Sequence, residues 1–158
     1  MNKIIERMEE VRSIVKCNKS QMSKWMGYDK DYYSLIISGK KEATKSVIKN
    51  FCAAFFINEK YLLNGEGPIS DFDISAEAVK TRVNQLRVGY SQAEFSRKIN
   101  VVHTTVRLFN NEDYVFSREM LIRIADAFDI DYVWFITGDD ERKEYPVNDK
   151  MISWLKEH

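Results

Sequence analysis

Proline is scarce, with 2 residues in 158, and glycine is little more frequent at 6. Counts this low exclude collagen-like repeats, and with 44% hydrophobic and 30% charged residues they describe a folded, helix-permitting chain and not a disordered one. They also argue against an all-β architecture. Apolar runs are short, as in FCAAFFI from Phe51 to Ile57, whereas a membrane-spanning helix needs about 20 such residues. The first fifteen residues carry Lys3, Glu6, Arg7, Glu9, Glu10 and Arg12, and so lack the apolar stretch of a secretion signal. A cytoplasmic protein without membrane contact is expected.

Residues that carry chemistry are equally few. Cys17 and Cys52, the only cysteines, lie within apolar patterns and read as small packing residues, not as a disulfide framework. His103 and His158 are the only histidines, and with no C-x-x-C or H-E-x-x-H spacing a dedicated zinc site has no ligand set. Glycine-rich phosphate cradles and the G-x-S-x-G nucleophile turn are missing too. The sequence predicts no catalytic residues, no cofactor, no metal and no enzymatic activity.

Neither charge sign is in surplus, with 24 Lys and Arg against 24 Asp and Glu. A zero balance argues at first against nucleic acid as a partner, because such proteins usually carry a basic excess. The distribution says more than the sum. Residues 1–69 hold 12 basic against 8 acidic side chains, residues 74–141 hold 8 against 11, and two aspartates lie between them. The basic surplus belongs to the first half.

Sliding the chain along itself aligns residues 18–67 with 91–140, without a gap, at an offset of 73. Only six of the fifty pairs are identical, among them Ser23/Ser96, Phe55/Phe128 and Gly65/Gly138. Side-chain class is the stronger witness. Apolar faces apolar at Met22/Phe95, Met26/Ile99, Tyr28/Val101, Tyr33/Val106, Ile36/Phe109 and Phe51/Ile124, at helical spacings. Helix-starting residue types coincide at Asn18/Ser91, Thr44/Ser117 and Asn58/Asp131, and left-handed-tolerant types coincide at Gly27/Asn100 and Gly65/Gly138.

Each copy therefore reads as five short helices. In the first copy Ile4, Met8, Val11 and Val15 line one face of an opening helix, followed by helices near 19–26, 30–37, 44–55 and 59–63. In the second, Val79, Val83 and Leu86 open the pattern, and helices follow near 92–99, 103–110, 117–128 and 132–136. A three-residue link between the second and third helices of each copy is the spacing of a helix-turn-helix. The expected fold is all-α, with domains at 1–69 and 76–141, a linker at 70–75 and a tail at 142–158. At roughly 3.3 Å per residue the acidic linker would span about 20 Å.

These residues resemble the phage-repressor and Cro family, the XRE type, in both copies. SQAEFSRKINV from Ser91 to Val101 resembles the family's S-Q-x-x-[LF]-A-x-x-[LI]-G-V. SREMLIRIADAFDIDYVWFITGD from Ser117 to Asp139 is similar to its fourth and fifth helices. In the first copy NKSQMSKWMGY from Asn18 to Tyr28 follows the same frame with Lys19 at the usual glutamine, and YLLNGEG is similar to the closing signature. The resemblance implies two tandem lambda-repressor-like helix-turn-helix domains of five helices each. Double-stranded DNA would be the partner, and the activity that of a sequence-specific transcriptional regulator.

In that family the first helix of the motif braces the backbone and the next enters the major groove. The reading helices would be Lys30 to Ile37 and His103 to Asn110, with base contacts from Lys30, Asp31 and Ser34 in copy one and from His103, Thr104 and Arg107 in copy two. Arg107 is the foremost of these, since a guanidinium takes O6 and N7 of guanine together. Phosphate contacts would come from Lys19, Lys40 and Lys41, and in copy two from Gln92 and Asn111, beside Glu112 and Asp113, which repel phosphate. That acidic pair, Asp31 and the zero net charge point to a rival reading: a protein-binding inhibitor or antirepressor on a repressor-like fold. In the tail, Met151, Ile152 and Leu155 line one side of a short helix after Pro146. This stripe either packs on the second copy or pairs two chains in a homodimer.

Overall fold

The computed structural model describes residues 2–139, and among these the protein is all-helical, with ten α-helices and no strand. The expected tail helix after Pro146, and the homodimer role considered for it, fall outside the described residues. Contacts divide the chain into two compact units, with the boundary between Ile74 and Ser75. The first holds α1 (Lys3–Val15), α2 (Lys19–Trp25), α3 (Tyr32–Ile37), α4 (Lys45–Phe55) and α5 (Glu59–Asn64). The second holds α6 (Ala76–Arg87), α7 (Gln92–Ile99), α8 (His103–Leu108), α9 (Arg118–Phe128) and α10 (Val133–Thr137). None of these helices is long and apolar enough to cross a membrane.

The helix starts follow from their caps. Thr44 and Ser117 accept from the N–H groups of Val47 and Met120, so α4 and α9 begin at equivalent points. The stops repeat as well. Gly65 and Gly138 both take φ +72°, and Phe56 and Asp129, one repeat apart, both end their helices in the left-handed region at φ +57° and +53°. Asn58, expected as a cap, instead turns its side-chain amide onto Pro68 O and Asp71 Oδ1.

Each unit closes around its own apolar core. In the first, Met8, Met22, Tyr33, Ile36, Phe51 and Phe55 are buried; in the second, Val83, Phe95, Ile99, Val106, Phe109 and Phe135 are. On α1 it is Ile5 that is buried and not Ile4, which is only half-covered. The segment expected as a linker packs on the first unit. Ser70 Oγ donates to Phe56 O, Phe72 meets the Phe56 ring edge-on at 6.5 Å, and Ile74 is buried, so residues 70–74 are not an extended spacer. Its acidic composition concealed two apolar anchors.

One arginine in each unit joins the first helix to the last. Arg7 on α1 donates to Leu62 O and Leu63 O at 3.1 and 3.2 Å, and Arg82 on α6 donates to Phe135 O and Ile136 O at 3.1 and 3.0 Å. These carbonyls belong to last turns, where a helix has no partners of its own to offer. The two cysteines form no disulfide. Burial pushes the Cys52 thiol up to about 12. At pH 8 its reaction with a thiol reagent is therefore expected to be at least about tenfold slower in the folded chain than in urea, and equal rates would contradict the packing described.

Candidate nucleic-acid interface

The pairs α2–α3 and α7–α8 are built by the same local rules. Asn18 Oδ1 accepts from the Gln21 N–H while Gln21 Oε1 accepts from the Asn18 N–H, both at 2.8 Å. Ser91 and Glu94 repeat this reciprocal box at the start of α7, and the Ser91 N–H holds the Glu94 carboxyl below its usual range. The turn that follows is fixed by a buried serine. In the first unit Ser23 Oγ accepts from the Tyr33 N–H at 2.8 Å and donates to Lys19 O; in the second Ser96 Oγ donates to Val101 O at 2.6 Å. Gly27 and Asn100 make the turns with φ +86° and +56°.

The two pairs then diverge. The Tyr33 N–H goes to the serine and the Tyr32 N–H bonds Asp29 O at 3.0 Å, so α3 begins only at Tyr32. Lys30 and Asp31 are exposed but stand in the turn ahead of the helix, not on it as the sequence predicts, and Asp31 makes no side-chain cap. Ser34 and Leu35 are half-buried on α3. On α8, His103, Thr104 and Arg107 are exposed while Val106 and the capping residue Phe109 are buried. That helix ends at Leu108, which leaves Asn110 in the following turn, where its side chain accepts from Arg87 at 3.0 Å.

Lys19, the first residue of α2, is exposed, as are Lys40 and Lys41. The first turn of α2 contains no acid, whereas that of α7 contains Glu94. The Lys41 N–H donates to Leu35 O at 3.0 Å and its ammonium lies 5.2 Å from the centre of the Tyr32 ring. The loop after α3 thus folds back and brings a cation to the start of that helix. Gln92 is half-buried, and the exposed Asn111 gives its N–H to Leu108 O and accepts from Lys80 Nζ at its own carbonyl.

Two features of the site escape sequence reasoning. Tyr28 and Tyr32 stack at 4.2 Å, with the Tyr28 hydroxyl accepting from Asn50 Nδ2 at 2.8 Å. Their spacing of four suggests a helix face, yet they flank a turn. The second is the set of cations that α6 supplies to the loop after α8. Lys80 bonds Asn111, and Arg87 bonds Asn110 while lying 5.7 Å from the Phe95 and Phe109 ring centres, where burial lowers its pKa. The exposed Glu112 and Asp113 therefore have positive neighbours that the loop sequence alone does not disclose.

No group of three or more metal-ligating side chains exists among the described residues. Compared with family models, with curated proteins and with solved structures, the chain gives no match.

Proposed function

We propose that the chain is a sequence-specific DNA-binding transcriptional regulator of the phage-repressor type, built from two tandem lambda-repressor-like helix-turn-helix domains. The observation that carries this reading is the repeated helix pair, with the same reciprocal cap and a buried serine at its turn, accompanied in the first unit by exposed Lys19, Lys40 and Lys41. Free N–H groups at the start of α2, with a lysine and no acid beside them, suit a phosphate. The α8 surface offers Arg107, Thr104 and His103 for base edges.

Mobility shifts of random-sequence duplex across a salt series test the reading. About four phosphate contacts would make log affinity fall with log salt at a slope near −3 to −4. Binding that is absent at low salt, or flat across the series, would retire it.

A second reading, a protein-binding inhibitor or antirepressor on the same fold, draws on one specific feature. Val102, which precedes α8, and Leu108, its last residue, are 67% and 49% exposed, and apolar side chains so placed suit a protein partner. Loss of the DNA reading in the salt series would leave this one standing.

A further inference from the structure

The second unit contains an open cleft of about 460 Å³ between the start of α8 and α9. Val101, Val102 and Thr105, from the turn and the first turn of α8, form one wall; Ser117, Glu119, Met120 and Arg123 of α9 and its cap form the other, so a carboxylate as well as a guanidinium lines it. Under the offset of 73, Val101, Thr105 and Arg123 stand where the first unit has Tyr28, Tyr32 and Asn50. There the two tyrosine rings stack at 4.2 Å and 15°, and the Tyr28 hydroxyl accepts from the Asn50 amide of α4 at 2.8 Å. The first unit thus records what this space accommodates: a phenol ring running from the turn to the fourth helix, its oxygen met by a donor.

The second unit keeps the donor and lacks the rings. Arg123 NH1 gives one N–H to Asn100 O at 3.1 Å, and a guanidinium has five to give. Val101, Val102 and Met120 supply apolar surface for a ring face, while Thr105 and Ser117 bring hydroxyls to the same cleft. The lining is divided about evenly between apolar and polar surface, so the open cleft offers one ring face a short apolar wall with several polar groups at its margin. We propose that the cleft binds one phenolic ring, its hydroxyl oxygen accepting from Arg123. The ring is either a free para-substituted phenol or a tyrosine side chain of a peptide. Phenol binding there requires no DNA contact by either unit.

Amide chemical-shift titration of the full ¹⁵N-labelled chain tests this, with p-cresol and with the peptide acetyl-Gly-Tyr-Gly-amide as probes. Saturable shifts are expected on amides of residues 100–105 and 117–123, with half-saturation by p-cresol at about 1 mM, as suits a ligand of this size. Tighter binding of the peptide would assign the ring to a polypeptide, and equal or weaker binding would assign it to a free phenol. Toluene, which has no hydroxyl, should bind at least about threefold more weakly, and Arg123→Ala should weaken p-cresol by a similar factor. Val101→Tyr with Thr105→Tyr, which restores the first unit's residues, should abolish the shifts. Arg123, being exposed, keeps the test decisive if that double variant fails to fold. The proposal is overturned by an absence of saturable shifts up to about 20 mM with either probe. Shifts as strong with toluene, or centred on other residues, would overturn it equally.

Discussion

Replacing Arg82 with alanine is expected to destabilise the second unit by about 2–4 kcal/mol, a large share of what a small domain has. The physical reason lies in the last turn of α10. Phe135 O and Ile136 O lie in the last turn, and α10 ends at Thr137 before Gly138 turns the backbone left-handed at φ +72°, so the helix itself offers them no N–H. Arg82 NH1 bonds both, and its positive charge sits at the negative end of the helix dipole. The guanidinium is only part-buried, so solvent screening weakens its charge–dipole contribution and the two hydrogen bonds carry most of the effect. Glycine is required at 138 by its backbone angle of φ +72°, and a Cβ there would also crowd the clamp, lying 3.0 Å from Arg82 Nε. Arg82→Met keeps most of the apolar stem and removes the donors, which separates packing from hydrogen bonding. Urea denaturation of both variants, followed through the second unit's transition, gives the answer. An Arg82→Met chain as stable as wild type would show that the clamp contributes nothing.

This clamp also marks the limit of what was legible in the sequence. Helix positions were readable because their causes are local: a cap at Asn18, Thr44, Ser91 or Ser117 acts within three residues of itself, and the left-handed stops at Gly65, Asn100 and Gly138 fall on residue types that tolerate that angle, whereas those at Phe56 and Asp129 carry no such mark. The buried faces of α3 and α8 were readable for a similar reason, since Tyr33/Ile36 and Val106/Phe109 fall at helical spacing. Arg7 and Arg82 were not, because their partners lie 53 to 56 residues away and an arginine on a polar helix face reads as solvated. The signal was present in the repeat: the two arginines are 75 apart, not 73, because α6 runs only five residues past its arginine where α1 runs eight, while the link to the next helix is one residue longer. Lys30 and Asp31 were placed on a helix because composition cannot reveal that the Ser23 hydroxyl takes the Tyr33 N–H. Residues 70–74 read as a spacer because charge outweighed Phe72 and Ile74 in the pattern, although those two side chains decide where the segment lies. Candidate contact residues were legible as residue types and surface positions; the groups that modulate them, Lys80, Arg87 and the Tyr28–Tyr32 pair, come from distant or irregular segments.

Lys40→Ala combined with Lys41→Ala is expected to weaken binding to every DNA sequence by about ten- to a hundredfold near physiological salt, and to flatten the salt slope by about 2. Thr104→Ala combined with Arg107→Ala should instead cost about 1–3 kcal/mol on the preferred site and little elsewhere. The asymmetry follows from charge placement under the DNA-binding reading. Residues 1–69 carry four more basic than acidic side chains, and both loop lysines are exposed, with Lys41 held back over Tyr32 at the start of α3. Each such lysine can neutralise one phosphate and release one counterion, which carries no sequence information. The matching loop of the second unit holds Glu112 and Asp113, and its Asn111 N–H is already given to Leu108 O. Lys80 and Arg87 soften that acidity without freeing the loop, because both are engaged with Asn111 and Asn110. Phosphate affinity should therefore rest on the first unit, and base discrimination on the Arg107 fork of the second, which is exposed on α8 and can meet a guanine edge. All four substituted side chains are exposed, so unchanged thermal unfolding of both double variants is expected and separates lost contacts from lost folding. Equal, sequence-independent losses from the two pairs would refute the division of labour. If the lysine pair causes no loss while the fold is intact, the phosphate contacts lie elsewhere or do not exist, and the exposed Val102 and Leu108 become the surface to pursue as a protein contact.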